Sequence, residues 1–122
     1  VMEGFHEYKM PPEGADTARM IKPIDEYDHK HTGISIIGGY VYRGKAIPAL
    51  DGKYIFGDYN GKLFSLTKDA GGSWTRAELD FPDKPAKFQV YSFGQDESGE
   101  LYVLGAVPVG NGFEGKVFKI VK

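Results

Sequence analysis

The pattern of hydrophobic and polar positions along the chain changes at about residue 34. Residues 1–33 show no sustained period of two or of about 3.6, and their proline, glycine and charge predict an irregular segment. From there on, short apolar runs alternate with breaks rich in Gly, Pro, Asn and Asp, which predicts strands joined by turns. We place the strands at about residues 34–43, 53–59, 62–68, 73–80, 87–95, 100–106 and 115–121. The predicted fold class is therefore all-β.

Two of the breaks between strands carry specific predictions. Asn60-Gly61 is a dipeptide that favours a two-residue β-hairpin between the second and third strands. Residues 108–115, PVGNGFEG, combine a proline with several glycines, so we predict a loop between the last two strands.

The strongest internal feature is a repeat of residues 51–68 in residues 98–122. Gly52 matches Gly99, which lies 47 residues later in the chain, and the distance between matched residues rises to 54 in the second half of the repeat. The other matched pairs are Gly61 and Gly115, Tyr54 and Leu101, Ile55 and Tyr102, Phe56 and Val103, Leu63 and Val117, Phe64 and Phe118, Leu66 and Ile120, and Lys68 and Lys122. A further predicted strand precedes each copy.

A repeat of this length, with about four short strands per unit, is typical of a β-propeller made of antiparallel blades. The strands of both copies are nearly continuous apolar runs, which predicts sheets that are buried on both faces. Four strands are predicted in the first unit and three in the second, so the chain supplies about two blades where a closed ring needs about 4 to 8. The partner expected to cover them is the rest of a longer propeller or further copies of the chain. The alternative is one small barrel or sandwich.

Composition excludes several classes of function. The net charge is −2 and lysine and arginine are scattered, which argues against a nucleic-acid or membrane-surface partner. There is no cysteine, so disulfides, thiolate zinc sites and cysteine nucleophiles are excluded. No apolar run reaches the length of a membrane span. The serines lack a nucleophile-elbow context, and the glycines do not form a phosphate-binding loop.

The stretch GGYVYRGKAIPALDGKYIFGDYNGKLFSL, residues 38–66, closely resembles the glucose/sorbosone dehydrogenase family of six-bladed propellers and the propeller of the Hedgehog-interacting branch. The resemblance extends in order to residues 2–8, 26–33, 93–106 and 115–121. It implies that residues 34–122 form the last two blades of such a propeller, and that residues 1–33 are an irregular segment with a remnant of the preceding blade.

For the sugar dehydrogenases, the resemblance implies pyrroloquinoline quinone and calcium bound at one end of the propeller, with a histidine as general base on a sugar hydroxyl. That histidine and the calcium ligands fall in blades outside this chain, so we expect no catalytic residue and no metal ligand here. The resemblance also implies a periplasmic or secreted protein. Two hypotheses follow: a segment of a quinone-dependent dehydrogenase whose substrate is an aldose or related sugar, or a non-catalytic propeller that binds a protein or a glycan.

Two residues are predicted to contact the cofactor. Arg43 follows the YVY strand where relatives carry Arg or Lys, although it could instead pair with a carboxylate. Asn60 lies in a loop that often carries a lysine in relatives. Phe88 and Val90 stand where the better-known family members have two arginines, and this difference favours the binding hypothesis.

Other candidates have structural explanations. We predict that Asp58 caps a turn through its own backbone, with pairing to Arg43 as the alternative. His29 and His31 could share one side of an extended segment as a metal pair, but a solvated polar loop also explains them. The glycines at residues 38–39 are predicted to permit a bulge or a close approach of another backbone.

Overall fold

The computed structural model describes residues 2–7, 13–14 and 16–122. Its strands are β1 (Met2–Glu3), β2 (His6–Glu7), β3 (Ile36–Val41), β4 (Tyr54–Asp58), β5 (Leu63–Lys68), β6 (Trp74–Leu79), β7 (Gln89–Gln95), β8 (Leu101–Val109) and β9 (Gly112–Lys119). Short 3-10 turns occupy Thr17–Arg19 and Pro48–Leu50. Among these residues, no helix is long and apolar enough to cross a membrane.

The strands form three antiparallel sheets. β1 and β2 make a small ladder, β3-β4-β5-β6 make the first main sheet, and β7-β8-β9 make the second. Within each sheet, strands that are adjacent in sequence pair with each other. The all-β prediction is confirmed, with about two antiparallel blades, and the seven strands predicted from residue 34 onward are all present. The two main sheets keep separate hydrogen-bond ladders and do not join into one barrel.

The repeat in the sequence corresponds to the same face of each main sheet. Cross-strand pairing sets Phe56 opposite Phe64 in the first sheet and Val103 opposite Phe118 in the second. We call this side of each sheet the repeat face. Its residues are Tyr54, Phe56, Phe64 and Leu66 in the first sheet, and Leu101, Val103, Phe118 and Ile120 in the second.

The main core lies between the two sheets, where the repeat face of the second sheet packs on the opposite face of the first. Ile55 and Leu63 contribute from the first sheet, and Leu101 and Val103 from the second. The core as a whole consists of Tyr42, Leu50, Ile55, Leu63, Phe88, Val90, Phe93, Leu101, Val103 and Ile120. Burial of these side chains is the principal favourable term that holds the sheets together.

The repeat face of the first sheet is covered by the N-terminal segment instead of a sheet. The Tyr27 ring packs on Phe64 with ring centroids 5.6 Å apart. The Arg76 guanidinium lies 5.0 Å from the centroid of the Tyr27 ring and forms an ion pair with Asp25. A charged and aromatic layer therefore protects Phe64 and its neighbours from water.

Three hairpins use the same Asp-x-x-Gly turn. In each turn the aspartate carbonyl accepts the glycine N–H, and the aspartate N–H donates to the carbonyl of the residue after the glycine. The three glycines have φ between 82° and 92°, a backbone conformation that glycine adopts at little cost. The turns span residues 58–62, 69–73 and 96–100.

The hairpin prediction at Asn60-Gly61 is confirmed in place and wrong in turn type. Residues 59–60 are the central pair of the turn, and Gly61 follows as the bulge residue of a three-residue loop. The difference arises because Asp58 takes part in the turn both through its backbone and through its side chain.

The predicted loop at residues 108–115 is wrong. β8 continues to Val109 and β9 begins at Gly112, so that only Gly110 and Asn111 make the turn. Gly110 has φ 57°, as required at the first central position of a type II′ hairpin turn. The β-branched and aromatic residues on either side extend the ladder despite the glycines and proline among them.

Gly39 lies at a β-bulge, as predicted for this glycine pair. The pairing of β3 with β4 shifts between Ile37 and Tyr40. A Cβ atom added to Gly39 would lie 1.9 Å from the Ile55 carbonyl oxygen, whereas one added to Gly38 would approach nothing closer than the Tyr54 hydroxyl at 3.5 Å.

We expect Gly39→Ala to lower the free energy of unfolding by about 2 to 4 kcal/mol, because the new methyl group overlaps backbone atoms that cannot move without breaking the ladder. The neighbouring Gly38→Ala is the matched control and should change that free energy by less than about 1 kcal/mol. Urea unfolding followed by circular dichroism measures both. Equal losses in the two variants would contradict the close-approach explanation.

Candidate binding surface

The loops of the two main sheets collect at two opposite ends. In the β3–β4 pair, Ile36 lies opposite Asp58, and Val41 lies opposite Tyr54. We call the two ends the Asp58 end and the Arg43 end. The Asp58 end holds residues 28–35, 58–62, 80–91 and 109–112, and the Arg43 end holds residues 43–53, 69–74 and 96–100.

Asp58 organises its end of the sheets. Its side chain is fully buried and accepts hydrogen bonds from the Tyr27 hydroxyl at 2.8 Å and from the N–H groups of Ile34, Ser35 and Asn60 at 2.9 to 3.0 Å. A buried carboxylate is tolerated when it is hydrogen-bonded in this way. The predicted turn cap is therefore present, and the same carboxylate also fastens the N-terminal segment to the first sheet.

These contacts shift two pKa values in opposite directions. Burial by itself raises the pKa of the Asp58 carboxyl, but hydrogen bonds from the Asn60 and Ile34 N–H groups outweigh it and hold this pKa below its usual value. Burial, together with the hydrogen bond to Asp58, raises the pKa of Tyr27. Asp58 is thus a permanent anion at neutral pH and acts as a structural acceptor.

Asn60, a predicted cofactor contact, lies in the loop at the Asp58 end. Its side-chain N–H donates to the Thr32 carbonyl at 3.2 Å, and its side-chain oxygen accepts the Lys62 N–H at 3.0 Å. The Lys84 ammonium donates to the carbonyl of the next residue, Gly61, at 2.5 Å. The loop is therefore held from both sides, and the Asn60 amide already has partners within the protein.

An exposed aromatic pair lies beside this loop and joins the two sheets. Tyr59 and Tyr91 stack with ring centroids 5.9 Å apart and an angle of 15° between the ring planes. They are 37% and 49% exposed, so the pair forms a small aromatic patch on the surface. Tyr91 is the residue at which the β7–β8 pairing shifts, so a bulge directs it out of the ladder.

Hydrogen bonds position both members of the tyrosine pair. The Tyr59 N–H donates to the Ser35 carbonyl at 2.9 Å. The Tyr91 hydroxyl donates to the Gln89 side-chain oxygen at 3.0 Å. Sequence reasoning missed Tyr59 and Tyr91, because nothing in a single sequence shows that a bulge removes Tyr91 from the alternation of β7.

Arg43, the other predicted cofactor contact, lies at the opposite end. Its guanidinium is 3.9 Å from the Asp51 carboxylate, and both side chains are exposed, so the pair contributes little to stability. The pairing with Asp58 considered from the sequence does not form. The six residues of β3 separate the two ends by roughly 20 Å at about 3.3 Å per residue. The structure therefore does not bring Arg43 and Asn60 together, and a cofactor contact of either stays a prediction.

A second buried carboxylate fastens the Arg43 end. The Tyr42 hydroxyl donates to Glu100 at 2.7 Å, and the N–H groups of Lys45 and Ala46 donate to the same carboxylate at 2.8 and 3.0 Å. The Ile47 N–H in turn donates to the Tyr42 oxygen at 3.0 Å. These hydrogen bonds, that of Tyr42 first, lower the pKa of Glu100. Glu100 thereby connects the second sheet to the loop after β3.

Phe88 and Val90, which stand at the expected arginine positions, are both buried in the core between the sheets. His31 donates its N–H to Asp28 at 2.7 Å, and its ring nitrogen lies 2.8 Å from the same carboxylate. Within residues 2–7, 13–14 and 16–122, no three potential metal ligands come together. The predicted histidine pair thus has one histidine tied to an aspartate in an exposed loop.

No protein-family profile matches the chain. Among curated proteins, it is similar to the Hedgehog-interacting proteins of Mus musculus and Homo sapiens, each 32% identical over 93 residues, which cover 70% of this chain and 13% of the relative. It is also 33% identical over 107 residues to the HIPL2 protein of Arabidopsis thaliana, covering 67% of this chain and 15% of the relative. The chain therefore spans less than a fifth of the length of these relatives. The resemblance to the Hedgehog-interacting branch, which the sequence indicated, is therefore confirmed.

We expect Asp58→Asn to lower the free energy of unfolding by about 2 to 4 kcal/mol, because the neutral amide satisfies the surrounding donors poorly. Asp69→Asn is the control, since Asp69 occupies the same type of turn with an exposed side chain. Its loss should stay below about 1 kcal/mol. Urea unfolding measures both variants. Equal losses of unfolding free energy would show that Asp58 stabilises the protein only by capping its turn.

Acid should destabilise the protein through Asp58 and Glu100. Both have a lower pKa in the folded chain, so their stabilising contribution is complete above the unfolded values near 4 and is lost as pH falls through the folded values. Glu100→Gln should lower the melting temperature at pH 6 and reduce its further fall between pH 6 and pH 3. The control is Glu97→Gln, because the neighbouring Glu97 is exposed. Its melting temperature should equal that of the unmodified chain at each pH. If the melting temperature of Glu100→Gln fell with pH as steeply as that of the control, Glu100 would not be a source of the acid destabilisation.

Proposed function

We propose that the chain is part of a non-catalytic propeller that binds a protein partner through the surface formed by Tyr59 and Tyr91. The observation that carries the proposal is the exposed tyrosine stack, held in place by the buried Asp58 and its hydrogen bonds. Tyrosine is enriched in the central, energetically dominant part of protein interfaces, where its rigid ring buries a large area at small entropic cost.

The similarity to Hedgehog-interacting proteins supports the same function, because the name of those relatives describes binding to another protein. The proposal includes a secreted or periplasmic location, as the family resemblance implies. The first probe of binding is accordingly a Hedgehog protein.

Two alternatives have less support. Quinone-dependent sugar oxidation needs cations around a tricarboxylate, but Phe88 and Val90 are core residues, and Arg43 and Asn60 lie at opposite ends of the sheets. Glycan binding has some support from the exposed ring of Tyr59 and the nearby amide of Gln89. The experiment below distinguishes it from protein binding.

The intact parent protein should bind immobilised recombinant mouse Hedgehog protein in surface plasmon resonance. Tyr59→Ala and Tyr91→Ala should each weaken binding by about 10-fold or more, since a tyrosine that dominates an interface contributes about 2 kcal/mol. Trp74→Ala is the matched control, because Trp74 is equally exposed and lies at the Arg43 end. Circular dichroism verifies that the variants are folded.

Three results would contradict the proposal. Folded parent protein that binds neither Hedgehog protein nor a saccharide array has no such function. Binding to saccharides alone that depends on Tyr59 indicates the glycan alternative. A quinone absorbance band with sugar-dependent dye reduction, after addition of pyrroloquinoline quinone and calcium, indicates the dehydrogenase.

A further inference from the structure

The chain contains two asparagines, Asn60 and Asn111, and a glycine follows each of them. An asparagine before a glycine can lose its side-chain amide without a catalyst, because glycine has a flexible backbone and no side chain to obstruct attack by its own backbone nitrogen. The structure holds the two asparagines very differently. We propose that Asn111, in the turn between β8 and β9, is a site of spontaneous deamidation in the folded protein, and that the fold protects Asn60 from the same reaction.

The reaction forms a ring between neighbouring residues and needs only water. The Gly112 backbone nitrogen attacks the side-chain carbonyl carbon of Asn111, and the bond between that carbon and Nδ2 breaks. The proton of the glycine nitrogen passes through water to the departing nitrogen, which leaves as ammonia. Water then opens the succinimide ring at either of its carbonyl carbons, adding OH to the carbon and H to the ring nitrogen. The products are aspartate and isoaspartate, and no oxidation or reduction takes place.

Backbone freedom controls the rate of this ring closure. The attacking nitrogen and the carbonyl carbon must come within about 3 to 3.5 Å of each other in a suitable orientation. A turn whose groups are all held in place seldom reaches such a geometry, whereas a turn that opens locally reaches it often. The contacts around each asparagine therefore decide which of the two reacts.

Asn60 is held at the groups that the reaction uses. Its side-chain N–H donates to the Thr32 carbonyl at 3.2 Å, and its side-chain oxygen accepts the Lys62 N–H at 3.0 Å. The nitrogen that would attack, that of Gly61, donates its own proton to the Asp58 carbonyl at 2.9 Å. Both the amide that would leave and the nucleophile are thus engaged in hydrogen bonds.

Gly61 is also fixed by residues from a different part of the chain. It packs so closely on the Phe88 backbone that an added Cβ atom would overlap the Phe88 carbonyl oxygen. The Lys84 ammonium donates to the Gly61 carbonyl at 2.5 Å. Rotation of the peptide between Asn60 and Gly61 would disrupt these contacts, so we expect this turn to open rarely.

Asn111 lies at the tip of a hairpin that extends beyond the rest of its sheet. β7 pairs with β8 only as far as Ala106, so within the described part of the chain residues 107–109 pair with β9 alone. Residues 108–115 are all exposed, and a Cβ atom added to Gly110 would meet no atom within 4 Å. Opening of the tip breaks only the last pairs of one ladder and uncovers no core side chain, which makes it a low-energy fluctuation.

The products change the hairpin tip in two ways. Either product adds one negative charge to a chain whose net charge is −2. Isoaspartate also adds one carbon atom to the main chain between residues 111 and 112, which is incompatible with the present pairing of Val109 with Gly112. Because residues 108–115 lie outside the core between the sheets, we expect the two main sheets to stay folded after the reaction.

The test incubates the intact parent protein at pH 8 and follows both asparagine-containing peptides by mass spectrometry after digestion, with isoaspartyl methyltransferase to label isoaspartate. In the folded protein, Asn111 should convert at least about 10-fold faster than Asn60. In the same protein unfolded in urea, the two rates should agree to within about 3-fold, because the contacts that protect Asn60 are lost.

Two variants check the chemistry at the hairpin tip. Asn111→Gln should abolish the conversion at this position on the same timescale, because a glutamine must close a larger ring. Gly112→Ala should slow the conversion of Asn111 several-fold, because the added methyl group obstructs the attacking nitrogen. Both positions are exposed, and circular dichroism with thermal melting verifies that each variant is folded like the unmodified protein.

Three results would overturn the proposal. The first is conversion of Asn60 in the folded protein at a rate equal to or above that of Asn111. The second is conversion of Asn111 that becomes measurable only in urea, which would show that the hairpin tip is protected. The third is an equally large ratio of the two rates in the folded and unfolded protein, which would assign the difference to the neighbouring residues in sequence and not to the fold.

Discussion

The structure depends on one constraint: each main sheet carries large apolar side chains on a face that must be kept from water. The second sheet buries its repeat face, including Val103 and Phe118, against the first sheet. The first sheet buries its own repeat face under Tyr27 and the Arg76–Asp25 ion pair. Stacking therefore has a direction, with the repeat face of one sheet turned toward the opposite face of its neighbour. Each sheet therefore needs a neighbouring sheet or a covering segment on its apolar repeat face.

Two buried carboxylates control how the loops attach to this stack. Asp58 gathers backbone N–H groups of the N-terminal segment at one end, and Glu100 gathers those of residues 45–46 at the other. Both are acceptors with several donors, which is the condition under which a buried anion is tolerated. Because Asp58 holds the segment beside Tyr59, the exposed tyrosine stack has a rigid base, and rigidity lowers the entropic cost of binding a partner.

Much of this architecture could be predicted from local pattern. Apolar runs between glycine-rich breaks located the strands, the repeat identified two equivalent sheets, and Asp58 was predicted as a turn cap. The ends of β8 and β9 were not predicted, because glycines within residues 110–115 suggested a loop while the pairing across them made a hairpin. The aromatic surface was not predicted either, since its two tyrosines come from different sheets and meet only after the sheets stack.

Local properties of the chain determine where most strands and turns lie and the two-sided character of the sheets, because strand propensity, glycine conformation and side-chain alternation act over a few residues. Packing between distant segments decided the rest. It placed Arg43 and Asn60 at opposite ends, buried Phe88 and Val90, and brought Glu100 to Tyr42. Such contacts join residues up to 58 positions apart, and their geometry depends on how whole sheets stack.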